Sequence, residues 1–160
     1  MKKLLIFVTL LLLNSIISAQ CNIKTINRPD GTTVRYLNPN MVGTGTSCEV
    51  GLSVSNNGNS YFINTTVRYF STPKKQIGSL KIQLQNNSAL VLKLSDSQIA
   101  TTNGNNVSLG VYSTTLQDIK LLRSSQLVRI VFVESDGTNQ IVSISKNNNL
   151  MMDQIKCLSN

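Results

Sequence analysis

"QLVRIVFVESDGTNQIVSISK", residues 126–146, decides how this chain folds. Val128, Ile130 and Phe132 fall on one side of an extended chain, while Leu127, Val131 and Val133 make the other side apolar as well. Successive side chains of a strand point to opposite faces, so the first half predicts a central strand covered on both sides. Asp136-Gly137 follows, a pair suited to the positive φ that hairpin turns demand. The alternating "NQIVSISK" then returns antiparallel to the first strand.

The same two-residue period runs outward through most of the chain, from Ile23 to Ser145. It predicts strands at 22–27 and 32–37 joined by "RPDG", at 47–55 and 60–70 joined by "NNGN", and at 77–85 and 88–95 joined by "NN". A further strand is expected at 107–113. In "SLKIQLQ" (79–85), Leu80, Ile82 and Leu84 face inward, and Lys81, Gln83 and Gln85 face outward. Two stretches change period. "TTLQDIKLLRSS" (114–125) spaces Leu116, Ile119 and Leu122 as a helix does, with Thr115 and Asp118 placed for a capping box and Arg123 near the end. "NNNLMMDQIKCLSN" (147–160) puts Leu150, Met151, Ile155 and Leu158 on one helical face after an asparagine cap. The expected fold is mainly β: an antiparallel β-sandwich of about eight to nine strands, with two short helices covering an edge or one face. An α+β layer fold is the alternative.

Residues 1–19 have the three parts of a secretory signal. Lys2 and Lys3 form the basic start, Leu4 to Leu13 is apolar except for Thr9, and Ala19 supplies the small residue for cleavage. The apolar run is too short to span a bilayer as a helix. A lipid anchor at Cys21 would want a small residue before it, and Gln20 stands there. Residues 20–160 are therefore expected as one β-rich domain, exported to the periplasm or beyond the cell and not lipidated.

In an oxidising compartment the three cysteines, Cys21, Cys48 and Cys157, allow one bridge. Cys48 lies in phase with Val50, Leu52 and Val54, on the buried side of its strand, where a thiol is a small inert hydrophobe. Cys21 and Cys157 lie near opposite ends of a domain, and domain ends are often close in space. Cys21–Cys157 is the favoured pairing, with Cys48–Cys157 as the alternative.

The chemistry on offer is narrow. The chain has no histidine, which excludes serine and cysteine triads built on that base and histidine-held metals. Its seven carboxylates are dispersed, with Asp30 and Asp136 in turns, Asp118 at a helix start and Glu134 at a strand end. No pair suited to glycoside hydrolysis and no calcium loop stands out, so neither catalysis nor a cofactor is expected. Without Lys2 and Lys3 the chain keeps 13 basic against 7 acidic side chains, a charge of +6 that favours acidic partners. Nucleic acid is disfavoured: Lys74-Lys75 is the longest basic run, and only 5% of residues are aromatic, too few for base-stacking platforms. Arg35, Arg68, Lys81, Lys93 and Arg129 all occupy the polar phase of their strands and form a candidate basic face. Such residues also perform the ordinary task of keeping a sheet hydrated and its edges unpaired.

The "SAQ" at 18–20, "INRPDGTTVRYLNP" at 26–39, "LLRSSQLVRIVFVESDG" at 121–137 and the closing "QIKCL" at 154–158 together resemble a group of small exported proteins of Bacteroidota-type bacteria. That resemblance implies export and a β-rich fold, includes the early and late cysteines, and offers no catalytic residue to carry over. The expected function is a non-catalytic exported binding or accessory module of the cell envelope, with an envelope protein complex or an acidic glycan as partner. A periplasmic carrier of a small apolar ligand is the alternative.

Overall fold

The Asp136-Gly137 signal forms the turn it encodes. Gly137 adopts φ +85°, its N–H donates to the Glu134 carbonyl, and the Thr138 N–H donates to the Asp136 carboxylate at 3.0 Å. This is a three-residue hairpin loop with glycine in the left-handed position. It joins two of ten strands in the computed structural model, which describes residues 21–102 and 104–159. The expected signal segment at 1–19 lies outside the described residues.

The strands are β1 (Lys24–Asn27), β2 (Thr33–Tyr36), β3 (Asn40–Thr44), β4 (Cys48–Asn56), β5 (Tyr61–Tyr69), β6 (Gln76–Leu84), β7 (Ala89–Thr102), β8 (Asn105–Ser113), β9 (Leu127–Glu134) and β10 (Asn139–Ser143). Helix α1 (Leu116–Ser124) joins β8 to β9, and α2 (Leu150–Leu158) closes the chain. All strand pairs are antiparallel, in the spatial order β1-β2-β4-β5-β8-β7-β6-β9-β10, with β3 beside β2 on the same edge of β4. The fold is thus mainly β with two short helices, as expected, but its two layers are one continuous sheet doubled over.

The doubling is visible in contacts between distant strands. Thr65 of β5 donates to the Gln76 side chain of β6 at 2.6 Å, and the Cys48 thiol of β4 lies 4.0 Å from Gln140 Oε1 of β10. The two far ends nearly meet: the Ser145 and Lys146 N–H groups both donate to the Val42 carbonyl of β3. No ladder forms between β3 and β10, so the sheet stops short of a barrel. Val50, Leu52, Ile63, Leu80, Ile82, Ile130 and Phe132 are fully buried between the layers, and Ile119, Leu122, Met151, Ile155 and Leu158 of the helices complete the core.

Several local expectations change. β9 is not covered on both sides. A bulge opposite Gln83/Leu84 places Leu127 inside and Val128 outside, and Val131 and Val133 end half-buried on an open face. β7 is longer than expected because a second bulge, between Leu94 and Asp96, reverses the alternation and puts Ser97 inward. β3 carries too few apolar side chains to show in the periodicity. α1 has its capping box: Thr115 Oγ1 accepts from the Asp118 N–H at 3.1 Å, and Asp118 accepts from the Thr115 N–H at 2.7 Å. Asn149 makes no such side-chain bond before α2. Its backbone is already helical at φ −85°, ψ −1°, instead of extended as a capping residue requires.

Cys21 and Cys157 form a disulfide with Cα atoms 5.6 Å apart, tying the segment that precedes β1 to α2, and Cys48 is a free, fully buried thiol. Burial and the neighbouring Glu134 carboxylate push this thiol up to about 11, so it stays protonated and unreactive at neutral pH. Gln154 of α2 has a less obvious place. Along one edge of β4, the β3 ladder stops at Leu52 and the β2 ladder begins at Ser55. In the gap the Val54 N–H donates to Gln154 Oε1 at 2.7 Å, and Gln154 Nε2 donates to the Asn38 carbonyl at 3.2 Å. One buried side-chain amide thus stands in for a missing peptide group between two strands.

Candidate functional site

The five basic residues singled out by phase do not share one site. Arg35 on β2 is half-buried, and its guanidinium donates to the Leu158 carbonyl at 3.4 Å, where it offsets the partial negative charge at the end of α2. Arg68 on β5 pairs across the ladder with Glu49 of β4. These two cations have local structural partners. Lys81 on β6, Lys93 on β7 and Arg129 on β9 are exposed and gather on one surface, the outer face of β7, β6, β9 and β10.

Register lays out this face row by row, because directly paired residues project to the same side. One row runs Val91–Lys81–Val131–Ile141, and the next runs Ala89–Gln83–Arg129–Ser143. Lys93 stands opposite Ser79, and Ile77 opposite Val133. Val91 is 65% exposed, Ile141 56% and Ile77 39%. No carboxylate occupies any of these positions, and no ion pair among the described residues engages the three cations. The face therefore combines unneutralised positive charge with exposed β-branched side chains. The basic half was legible as residues out of phase with the core. Of the apolar half, Val131 and Val133 were legible as the apolar second side of their strand, whereas Val91 and Ile141, apolar residues standing where polar ones belong, were not read.

The acidic residues lie elsewhere. Glu134 points inward from the end of β9 and is fully buried, and its carboxylate accepts from Lys74 Nζ at 3.0 Å. Lys74 also meets Asp136 at 2.8 Å. That hydrogen bond, with help from Thr138, holds the Asp136 carboxyl down at about 2. The same contacts, Asp136 first and then Glu134, raise Lys74. Because Asp136 is depressed in the folded state, its contribution to stability is present above the ordinary carboxylate range near ~4 and disappears as pH falls through about 2. Acid titration followed by circular dichroism should show this loss in the wild type. Asp136→Asn should be less stable at neutral pH and lose less over the same acid range; an unchanged profile would remove Asp136 from the account.

The interior is occupied by the protein itself. Tyr112, Phe132, Leu52, Ile63, Leu92 and Leu122 are each under 2% exposed. A buried polar set fills the space between β5, β6 and β8: Gln76 Oε1 accepts from Thr65 and from Tyr112 at 3.0 Å, while Gln76 Nε2 donates to the Ser108 carbonyl and hydroxyl at 3.3 Å. Gly110 is required beside it, since a Cβ there would lie 2.7 Å from the Thr65 hydroxyl and 2.8 Å from Gln76 Oε1. The two best-developed depressions are open to solvent. Gln85, Asn86, Ser124, Ser125, Gln126 and Met152 line one, and Gly78, Ser79, Val91, Lys93 and Leu94 line the other. Neither is the enclosed apolar chamber that a carrier of small ligands needs. Among the described residues, no group of three His, Cys, Asp or Glu side chains is placed to hold a metal ion. Nor is any helix among them long and apolar enough to cross a membrane.

Compared with protein-family models, with curated proteins and with solved structures, the chain matches none. Its class is thus defined by fold and face alone: a disulfide-tied, doubled-over antiparallel sheet with one cationic, partly apolar outer surface.

Proposed function

We propose that this protein is an exported, non-catalytic binding module that attaches to an anionic constituent of the cell envelope through the outer face of β7, β6, β9 and β10. Export is supported by the signal-like residues 1–19 and by a disulfide of the kind that persists in oxidising compartments. Binding is supported by one observation above all: Lys81, Lys93 and Arg129 stand in rows of paired positions that hold no carboxylate and expose Val91, Ile77 and Ile141, the outward carboxylate of β7, Asp96, lying beyond the bulge. Charge attracts an acidic partner from a distance, and the apolar side chains gain by contact once it arrives. An envelope protein complex or an acidic glycan would meet the same requirement of negative charge.

Fractionation tests the proposal. The wild type should partition with the envelope at low salt and be released as salt rises, because exposed charges are screened over about 8–10 Å at physiological ionic strength. Lys81→Glu/Lys93→Glu/Arg129→Glu in one chain should shift the protein into the soluble exported fraction with unchanged circular dichroism. A folded triple variant that stays with the envelope as the wild type does would overturn the assignment of this face.

A further inference from the structure

We infer that the anionic constituent is a lipid headgroup surface, met face-on by β7, β6, β9 and β10. The inference rests on the binding reading above and selects among the partners that reading admits.

The position of Lys81 decides between them. It stands in the middle of the apolar row, paired directly with Val91 on one side and Val131 on the other. The centre of a protein–protein interface is dehydrated and depleted in lysine, and an ammonium buried there loses its hydration. In a headgroup layer the same residue stays hydrated: its stem lies along its apolar neighbours while the ammonium reaches a phosphate. The outward positions of these four strands contain no aromatic residue, which withholds the flat platforms that sugar rings stack on and the anchors that dominate protein interfaces. A second copy of the chain would set cations against cations across the same face. A charged planar surface asks for none of these missing features. It needs cations spread over a broad sheet, which Lys93, Lys81 and Arg129 on three successive strands provide. The open depression beside Lys93, with Ser79 and Gly78 at its edge, gives one phosphate a seat on this face.

Three cations and a few half-exposed aliphatic side chains make weak, reversible attachment, with each Lys or Arg near an anionic leaflet strengthening binding about fivefold. The test is co-sedimentation of the disulfide-intact protein with vesicles of equal parts phosphatidylglycerol and phosphatidylcholine, and with phosphatidylcholine alone. Binding is expected to the first and not to the second, and to weaken with salt. Lys81→Ala, Lys93→Ala and Arg129→Ala should each lower binding about fivefold and their combination roughly a hundredfold. Lys120→Ala, on the exposed side of α1, should leave binding unchanged within about twofold. No binding to the anionic vesicles, or equal loss from Lys120→Ala, overturns the lipid inference. If the vesicles fail while the triple glutamate variant still leaves the envelope, the binding proposal stands with a protein or glycan as partner. If that variant also stays with the envelope, both readings fail.

Discussion

Replacing Cys21 or Cys157 by serine is expected to lower the melting temperature by roughly 15–20 °C. The bridge closes a loop with a sequence separation of 136 residues, nearly the whole described chain. In the loop-entropy account, opening so long a loop costs roughly 4–5 kcal/mol. That is comparable to the entire stability of many domains, and for a chain of this length about 4 °C of melting temperature accompanies each kcal/mol. Both serine variants should fall by the same amount, and the double variant should be little worse, because all three remove one bond. Calorimetry with and without reductant checks this: reduced wild type should converge on the variants. A reduced protein that melts with the oxidised one would show that packing of α2 alone holds the ends together.

Gln154→Leu is expected to cost about 2–3 kcal/mol, or a fall of roughly 10 °C, although leucine has nearly the same volume and suits the core better. Gln154 is 5% exposed and is the sole acceptor shown for the Val54 N–H in the gap between the β2 and β3 ladders. An N–H left unpaired in a buried strand costs about 1–3 kcal/mol, and the bond to the Asn38 carbonyl goes with it. Hydrogen exchange at the Val54 amide gives a second readout, with protection expected to fall there more than at Leu52. If Gln154→Leu melts with the wild type, the amide is not filling the gap and the helix docks by apolar contact alone.

The contrast between these two residues shows what the sequence makes legible. The Cys21–Cys157 pairing follows from chain-end geometry, and the capping box of α1 from Thr115 and Asp118 at the right spacing, because each depends on few and local relations. The hairpins and the inward phase of Leu80, Ile82 and Leu84 are legible for the same reason. Gln154 shows nothing in the sequence, since its role arises from a gap between two strands more than a hundred residues away. Bulges misled in a specific way: one residue inserted near Ser95 and one near Val128 reverse inside and outside, and alternation read through them assigns faces wrongly. The candidate site was half legible. The outward phase of Lys81, Lys93 and Arg129 was plain, but phase does not say which strands become neighbours. The ion pair of Arg68 with Glu49 and the placement of Arg35 at the end of α2 depend on those neighbours.

The location of the bridge also sets an order of events in the life of the chain. Cys157 is made long after Cys21 and Cys48, so the bond that ties the segment before β1 to α2 cannot close until all ten strands have been made. Until then Cys21 has one other thiol within reach along the chain, that of Cys48, which is made long before its final partner strand. The walls that shelter Cys48 include Gln140 and Val142 of β10, which themselves arrive late. The wrong pairing is therefore available before the right one, and the fully buried position of Cys48 is what takes it out of competition. For this chain, folding has to run ahead of oxidation: β4 must be enclosed first, and the knot tied afterwards.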